Sequence, residues 1–297
     1  MEIPANLRWL RDRDDGRAWL ALLGDRVRHA AETWQLELGP AFAGAHVSYA
    51  CAARTPDGTE VVLKVQYPHE DCRTEAEALA AWDGRGAVRL LAHDAERWTL
   101  LLERCRPGTD LGRSPLDADA TIDVMADLTE ASWIVPPAGH TLATLQDQAH
   151  RWLAAMEPTW EERGRPFPRA RLDLAMAGLR EVADDQGPQV IINQDLHEQN
   201  VLAAERAPWL VIDPKPLVGE RALSLAPILR SLGYFHGPTA ALAALDPVAE
   251  RLGLDVGRVL RWTVGQSVAW GMDPSSTIDP RQAETVDRLA ERLRSTS

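Results

Sequence analysis

Two short apolar runs around a polar loop, between Gln189 and Lys215, restrict this chain more than any other stretch. Val190, Ile191 and Ile192 lead into a loop holding Asp195 and Asn200, and Trp209–Ile212 then end on Asp213. Runs this short, rich in β-branched residues, predict buried strands rather than helices. The three polar residues therefore fall where strands end and the chain turns, where side chains can converge on a ligand. Asp and Asn are also ordinary turn residues, so the spacing needs support from elsewhere in the chain.

The flanking pattern changes period once. Residues 5–34 read as helical, with Trp19, Leu22, Leu23, Arg26, Val27, Ala30 and Trp34 on one stripe. Residues 35–67 read as β-structure, with a Pro56-Asp57-Gly58 turn before a strand over Thr59–Tyr67. The small residues from Gly39 to Tyr49 would let backbone amides approach phosphates, or form an ordinary hairpin, since they lack G-x-G-x-x-G. Two more apolar runs follow, Ala87–Ala92 and Trp98–Leu102, and the second enters a Glu103–Gly108 connector. Beyond residue 110 the spacing is helical. Ile122, Met125, Ala126, Thr129 and Trp133 form one stripe, and Leu142 to Trp160 carry a longer one. Further helices are expected over 169–184, 222–235, 239–252, 255–272 and 280–295. This predicts an α+β fold: a small β-rich N-terminal lobe (1–103), a hinge (104–110) and a larger helical C-terminal lobe (111–297).

Composition narrows the class. The 297 residues carry a formal net charge of −12, which disfavours nucleic acid and anionic membranes and suits a cationic small molecule, or simply solubility. Three scattered cysteines suggest neither a disulfide framework nor a zinc site. With no signal core and no long uncharged apolar run, a monomeric cytoplasmic protein is expected. Most of the eleven tryptophans are expected in the core.

Lys64 adds chemistry. In V-V-L-K-V-Q, Val61, Leu63 and Val65 face one way, and Val62, Lys64 and Gln66 the other. A lysine inside an apolar strand requires a partner, or else an edge position reaching water. The next helix, with Asp71 as its expected cap, places Glu75 on the stripe of Ala78, Leu79 and Trp82. Glu75 is thus the better partner and Glu77 the fallback. Asp195 and Asn200 have the D-x-x-x-x-N spacing of a kinase catalytic loop. There the Asp accepts the hydroxyl proton, the Asn binds Mg²⁺ and a later Asp holds the metal bridging the phosphates.

Longer motifs carry a resemblance. D-G-T-E-V-V-L-K-V (57–65), E-A-L-A-A-W-D-G-R-G-A-V-R-L-L (77–91), L-L-L-E-R-C-R-P-G (100–108), D-L-H-E-Q-N-V-L (195–202) and W-L-V-I-D-P-K-P-L-V-G-E-R (209–221) resemble the streptomycin 6-phosphotransferase group of aminoglycoside/hydroxyurea antibiotic-resistance kinases. The resemblance spans about residues 36–230. It implies a bilobal protein-kinase-like fold, ATP and Mg²⁺, and O-phosphorylation of a small-molecule hydroxyl such as that of streptomycin. By it, Asp195 is the base, Asn200 and Asp213 hold Mg²⁺, and Lys64, steadied by Glu75, contacts the phosphates under Ser48. The Glu103 carbonyl and Cys105 amide would meet the adenine edge. Glu220, Trp270 and Asp273 are candidates, with Asp195, for lining the acceptor pocket.

The chain departs from that group at two places. Asn193-Gln194 replace the usual His-Gly before the catalytic Asp, and Ser224 stands where an Asp is usual. These departures keep other readings open: a nucleotide-binding pseudokinase or regulator, or a kinase of another metabolite or antibiotic. A metal-dependent hydrolase using the same Asp/Asn/Asp set would lack histidine ligands and leave Lys64 unexplained.

Overall fold

Alternating side chains in the first third build a five-stranded antiparallel sheet. In the computed structural model, which describes residues 3–44, 47–69, 72–272 and 279–296, its strands are β1 (Glu37–Ala41), β2 (Ser48–Arg54), β3 (Glu60–Gln66), β4 (Leu90–Asp94) and β5 (Thr99–Glu103). Their order is β1-β2-β3-β5-β4, which puts β3 at the centre. The β2–β3 turn closes through Asp57, whose carboxylate accepts from Thr55 and Thr59, and Gly58 supplies the positive φ of 85°.

The period of two decides what each face of β3 meets. Val61, Leu63 and Val65, all fully buried, pack in one cluster with Trp19, Leu23, Val27 and Ala30 of α1 (Asp14–Thr33). The Trp19 indole N–H also donates to the Gln66 carbonyl at 2.8 Å. Leu22, expected on the inward stripe, is instead 49% exposed. At roughly 100° per residue it lies a quarter-turn away from the line through Trp19, Leu23, Val27 and Ala30. Val62, Lys64 and Gln66 look the other way, toward α2 (Glu75–Trp82). Asp71, the expected cap of α2, lies outside the described residues, and Thr74 occupies the cap position.

The remaining chain is mainly helical: α3 (Ala118–Ser132), α4 (Leu145–Glu162), α5 (Arg169–Ala183), α6 (Leu225–Phe235), α7 (Pro238–Arg251), α8 (Val256–Gly271) and α9 (Pro280–Thr296). Asp117, Thr144 and Asp255 cap α3, α4 and α8 through their side chains, as short polar residues at that position do. Among the described residues, five tryptophans (19, 82, 152, 160 and 262) are buried, while Trp9 is exposed.

Four short strands sit among these helices: β6 (Gln189–Asn193), β7 (Val201–Ala203), β8 (Trp209–Val211) and β9 (Pro216–Glu220). The pattern of apolar runs predicts β6 and β8 but not β7 and β9. Their pairing is nested. The β7–β8 hairpin lies within a longer β6–β9 pair whose register joins Asn193 to Pro216. Nesting forces the loop after β6 against the loop after β8. Gly219 in β9 is required, because a Cβ there would lie 2.3 Å from the Cβ of Leu145.

Backbone pairing is part of what joins the sheet to the helical part. Ala87 bridges Val211, and the chain after β5 pairs with β7, Gly108 donating to the Ala203 carbonyl at 3.0 Å. Arg206 adds a two-pronged pair with Glu103, at 2.7 and 2.9 Å.

Candidate active site

Lys64 is the first element of the site. β3 carries it into the interior with its side chain only 8% exposed, a costly place for an ammonium without partners. It has two. Glu75 receives it at 2.7 and 2.6 Å, and Asp213 at 2.6 Å. Gln66, two residues along the same face, donates to Glu75 at 2.6 Å and so fixes the carboxylate. Burial alone would pull the Lys64 pKa down, but Asp213 and Glu75 outweigh it and hold the ammonium charged. Burial pushes Glu75 upward against the pull of Lys64. Glu77 points elsewhere and bonds Thr141.

Asp213 arrives from the opposite side. It follows β8 with φ near 50°, a left-handed conformation that Asp tolerates better than most residues. That turn lifts its carboxylate out of the strand toward Lys64. Lys64 keeps the group ionised against its partial burial, with smaller help from Lys215 and His197.

Asp195 lies in the loop after β6. Lys215 bonds it at 2.9 Å and His197 stands 3.9 Å away. Asn200 reaches back, its amide nitrogen 3.4 Å from the Asp195 carbonyl. The Asn200 carbonyl accepts from Ile212 at 2.8 Å, so Asn200 and Asp213 are held by adjoining segments. Asn193 ties the two loops together: its side-chain oxygen accepts from the amides of both Asp195, at 3.1 Å, and Lys215, at 3.0 Å. Gln194 contributes through its backbone, donating to the Lys215 carbonyl and accepting from Gln266.

A cleft of about 630 Å³ opens beside Asp195. His197, Arg230, Tyr234, Trp270 and Gln282 are among its walls. Trp270 is flanked by two cations, Arg230 at 4.7 Å and Lys215 at 5.3 Å from the ring centroid. Burial lowers the Arg230 pKa to about 10, partly opposed by Asp195, which leaves the guanidinium charged at neutral pH. On the sheet side, Ser48, Lys64, Asp213 and Lys215 line a separate narrow gap.

Residues 33–274 match the aminoglycoside/hydroxyurea antibiotic resistance kinase family. The chain belongs to this family. It is 34% identical to a streptomycin 6-kinase of Streptomyces glaucescens, covering 90% of this chain and 89% of that one. A hydroxyurea phosphotransferase of Kitasatospora aureofaciens is 36% identical, over 96% of this chain and 85% of that one. The fold is that of an aminoglycoside phosphotransferase solved with ADP and hygromycin B (TM-score 0.63, 15% identity, 91% of this chain and 98% of that one). It is also that of a choline kinase from Streptococcus pneumoniae (TM-score 0.62, 10% identity, 92% and 99%). The enzyme is thus a kinase with the bilobal, protein-kinase-like architecture.

Most of the expected site residues of this kinase converge. Lys64, Glu75, Ser48 and Asp213 gather on the sheet side, with Asp195 and Asn200 on the loop between β6 and β7. Trp270 lines the cleft. Asp273 lies outside the described residues. Glu103 and Cys105 sit at the crossing from β5, where Cys105 is buried and Glu103 holds Arg206. Glu220, expected to line the acceptor pocket, is not among the walls of the cleft beside Asp195. It is 6% exposed at the far end of β9, where it pairs with Arg258 at 2.8 Å and accepts from the Trp262 indole. Ser224 is likewise buried and accepts from Trp133 at 3.0 Å. Sequence reasoning missed Lys215, Arg230 and His197. The I-D-P-K motif contained a signal for Lys215, because two prolines hold that lysine beside an acid. Arg230 lies on a mostly apolar helix, and its place beside Trp270 has no local signature.

Proposed function

We propose that this kinase transfers the γ-phosphoryl group of ATP, with Mg²⁺, to a hydroxyl of a small cationic acceptor, streptomycin foremost. The observation that carries the reading is the Lys64–Glu75–Asp213 cluster, which shares its gap with Lys215, itself bonded to Asp195 on the wall of a cleft. In this reading Lys64 binds the α- and β-phosphates, under Ser48 and its neighbouring amides. Asp195 orients the acceptor hydroxyl and takes its proton. Residues 104–110 act as the hinge between lobes 1–103 and 111–297, and the Glu103 carbonyl and Cys105 amide meet the adenine edge.

The donor set fits Mg²⁺. Asp213 is an ionised carboxylate, and Asn200 offers an amide oxygen, since its nitrogen is directed to Asp195. Hard oxygen donors of this kind suit that ion. When bound, Mg²⁺ neutralises phosphate charge. The protein's share is positioning and fixed charge, which phosphoryl transfer mainly requires. Asn193 supports this: it holds the loops of Asp195 and Lys215 together although it departs from the family's usual histidine.

One observation favours a second acceptor. Arg230 on the cleft wall is poorly suited to a polycation and better suited to a small neutral hydroxyl compound such as hydroxyurea. Incubation with MgATP and either streptomycin or hydroxyurea, followed by mass spectrometry, tests both. The expected product is one phosphate heavier, and Asp195→Asn should abolish it. Absence of that product with both compounds would overturn the acceptor assignment.

A further inference from the structure

Lys215 has no part in the mechanism above, yet it lines one cavity and touches two walls of the other. It lines the narrow gap with Lys64, Ser48 and Asp213. Its ammonium also bonds the carboxylate of Asp195 at 2.9 Å and lies 5.3 Å from the ring of Trp270, both of them walls of the cleft. A phosphoryl group moving from the Lys64 side to a hydroxyl on Asp195 has to cross this boundary.

The backbone of Lys215 is unusually fixed. Its amide donates to Asn193 at 3.0 Å and its carbonyl accepts from Gln194 at 3.0 Å. Pro214 and Pro216 flank it, each with a locked φ. Its side chain is 28% exposed, neither sealed in the core nor loose on the surface. An ordinary exposed ion pair contributes little to stability, which would not account for so much local constraint. A cation held in place before the reaction is what a developing anionic charge needs.

We propose that Lys215 is a further catalytic residue, whose ammonium contacts the transferring phosphoryl group while holding Asp195 toward the acceptor hydroxyl. The proposal rests on the phosphotransfer reading above. In the step, the acceptor oxygen bonds the γ-phosphorus and the bond from that phosphorus to the β–γ bridging oxygen breaks. The electron pair of that bond leaves with ADP, and the hydroxyl proton passes to Asp195. Lys215 keeps its proton throughout and supplies charge only.

The test compares full-length wild type with Lys215→Met and Lys215→Arg. Three readings are taken: acceptor phosphorylation, ATP hydrolysis without acceptor, and MgADP affinity by calorimetry. Lys215→Met should lower kcat by about 100-fold or more, the scale of losing one preorganised charge donor. Acceptor KM and MgADP affinity should stay within about threefold, the mark of an interaction made in the transition state. Acceptor-free hydrolysis should fall in parallel, because the contact is with the phosphoryl group. Lys215→Arg should recover part of the loss. If Lys215→Met proves unstable, Lys215→Gln takes its place with the same readings. Unchanged kcat, a raised acceptor KM at unchanged kcat, or unaffected hydrolysis would each overturn the proposal. If wild type phosphorylates neither streptomycin nor hydroxyurea, the acceptor assignment fails while acceptor-free hydrolysis still judges Lys215. If wild type hydrolyses no ATP either, both readings fall.

Discussion

Lys64 bonds Asp213 at 2.6 Å across 149 residues of sequence, joining the central strand of the sheet to the loop after β8. The contact makes a buried ammonium tolerable and places both groups on one cavity. It also couples stability to function. Lys64→Met should lower kcat/KM by about 100-fold or more through lost phosphate stabilisation. The same change strands Glu75, which is 1% exposed, and should cost about 3–5 kcal/mol in denaturant unfolding. Adding Glu75→Leu should return most of that stability without returning activity. A double variant as unstable as the single one would show that the stranded carboxylate is not the cause.

Asn193 makes a more local prediction. One side-chain oxygen serves two backbone amides, those of Asp195 and Lys215. Asn193→Ala leaves both donors without that acceptor, at a cost of about 1–3 kcal/mol. Because the loops then lose their shared anchor, kcat should fall by about tenfold with little change in MgADP affinity. Steady-state kinetics beside calorimetry reads both. A variant with wild-type kcat would mean that β6–β9 pairing alone positions the loops.

Glu220 should behave as a structural residue. Arg258 and Trp262 occupy its carboxylate away from the cleft. Glu220→Ala should lower stability by about 3–5 kcal/mol, the usual consequence of breaking a buried pair. Acceptor KM should stay within about twofold of wild type in the surviving folded enzyme. A large rise in acceptor KM with unchanged stability would return Glu220 to the acceptor pocket.

These residues show what the sequence could and could not disclose. Lys64 was legible because a charge inside an alternating apolar strand breaks a strong pattern, and Glu75 because one helix stripe points at it. The helices of the larger part were legible from their period alone. Strands β7 and β9 were not, since three residues, and five that begin with a proline, carry little periodic signal. The position of Glu220 was not legible for the same reason. Without β9, nothing shows that the strand carries Glu220 away from Asp195. Leu22 fails differently: it sits at the margin of its helix stripe, where spacing cannot tell a buried leucine from an exposed one. Arg230 depends on Trp270 meeting it from another helix, which is a tertiary fact.

Glu198 makes the loop that carries Asp195 sensitive to pH. It lies between Asp195 and Asn200, is 1% exposed, accepts from Ser231 at 3.3 Å and stands 3.4 Å from His236. Burial raises its pKa to about 7, and nearby Asp110 adds to the rise while Ser231 opposes it. The folded state therefore keeps this proton to higher pH than the unfolded chain, whose value is near 4.5. On that sign, the group's contribution to stability is fully present below pH 4.5 and is lost as pH rises through about 7. The loss amounts to about 3 kcal/mol at 1.36 kcal/mol per pKa unit. Glu198→Gln keeps a neutral side chain of the same length at every pH. Its melting temperature should fall less than that of wild type between pH 5 and pH 8, and it should be the more stable protein at pH 8. Parallel slopes for the two proteins would show that Glu198 is not the titrating group.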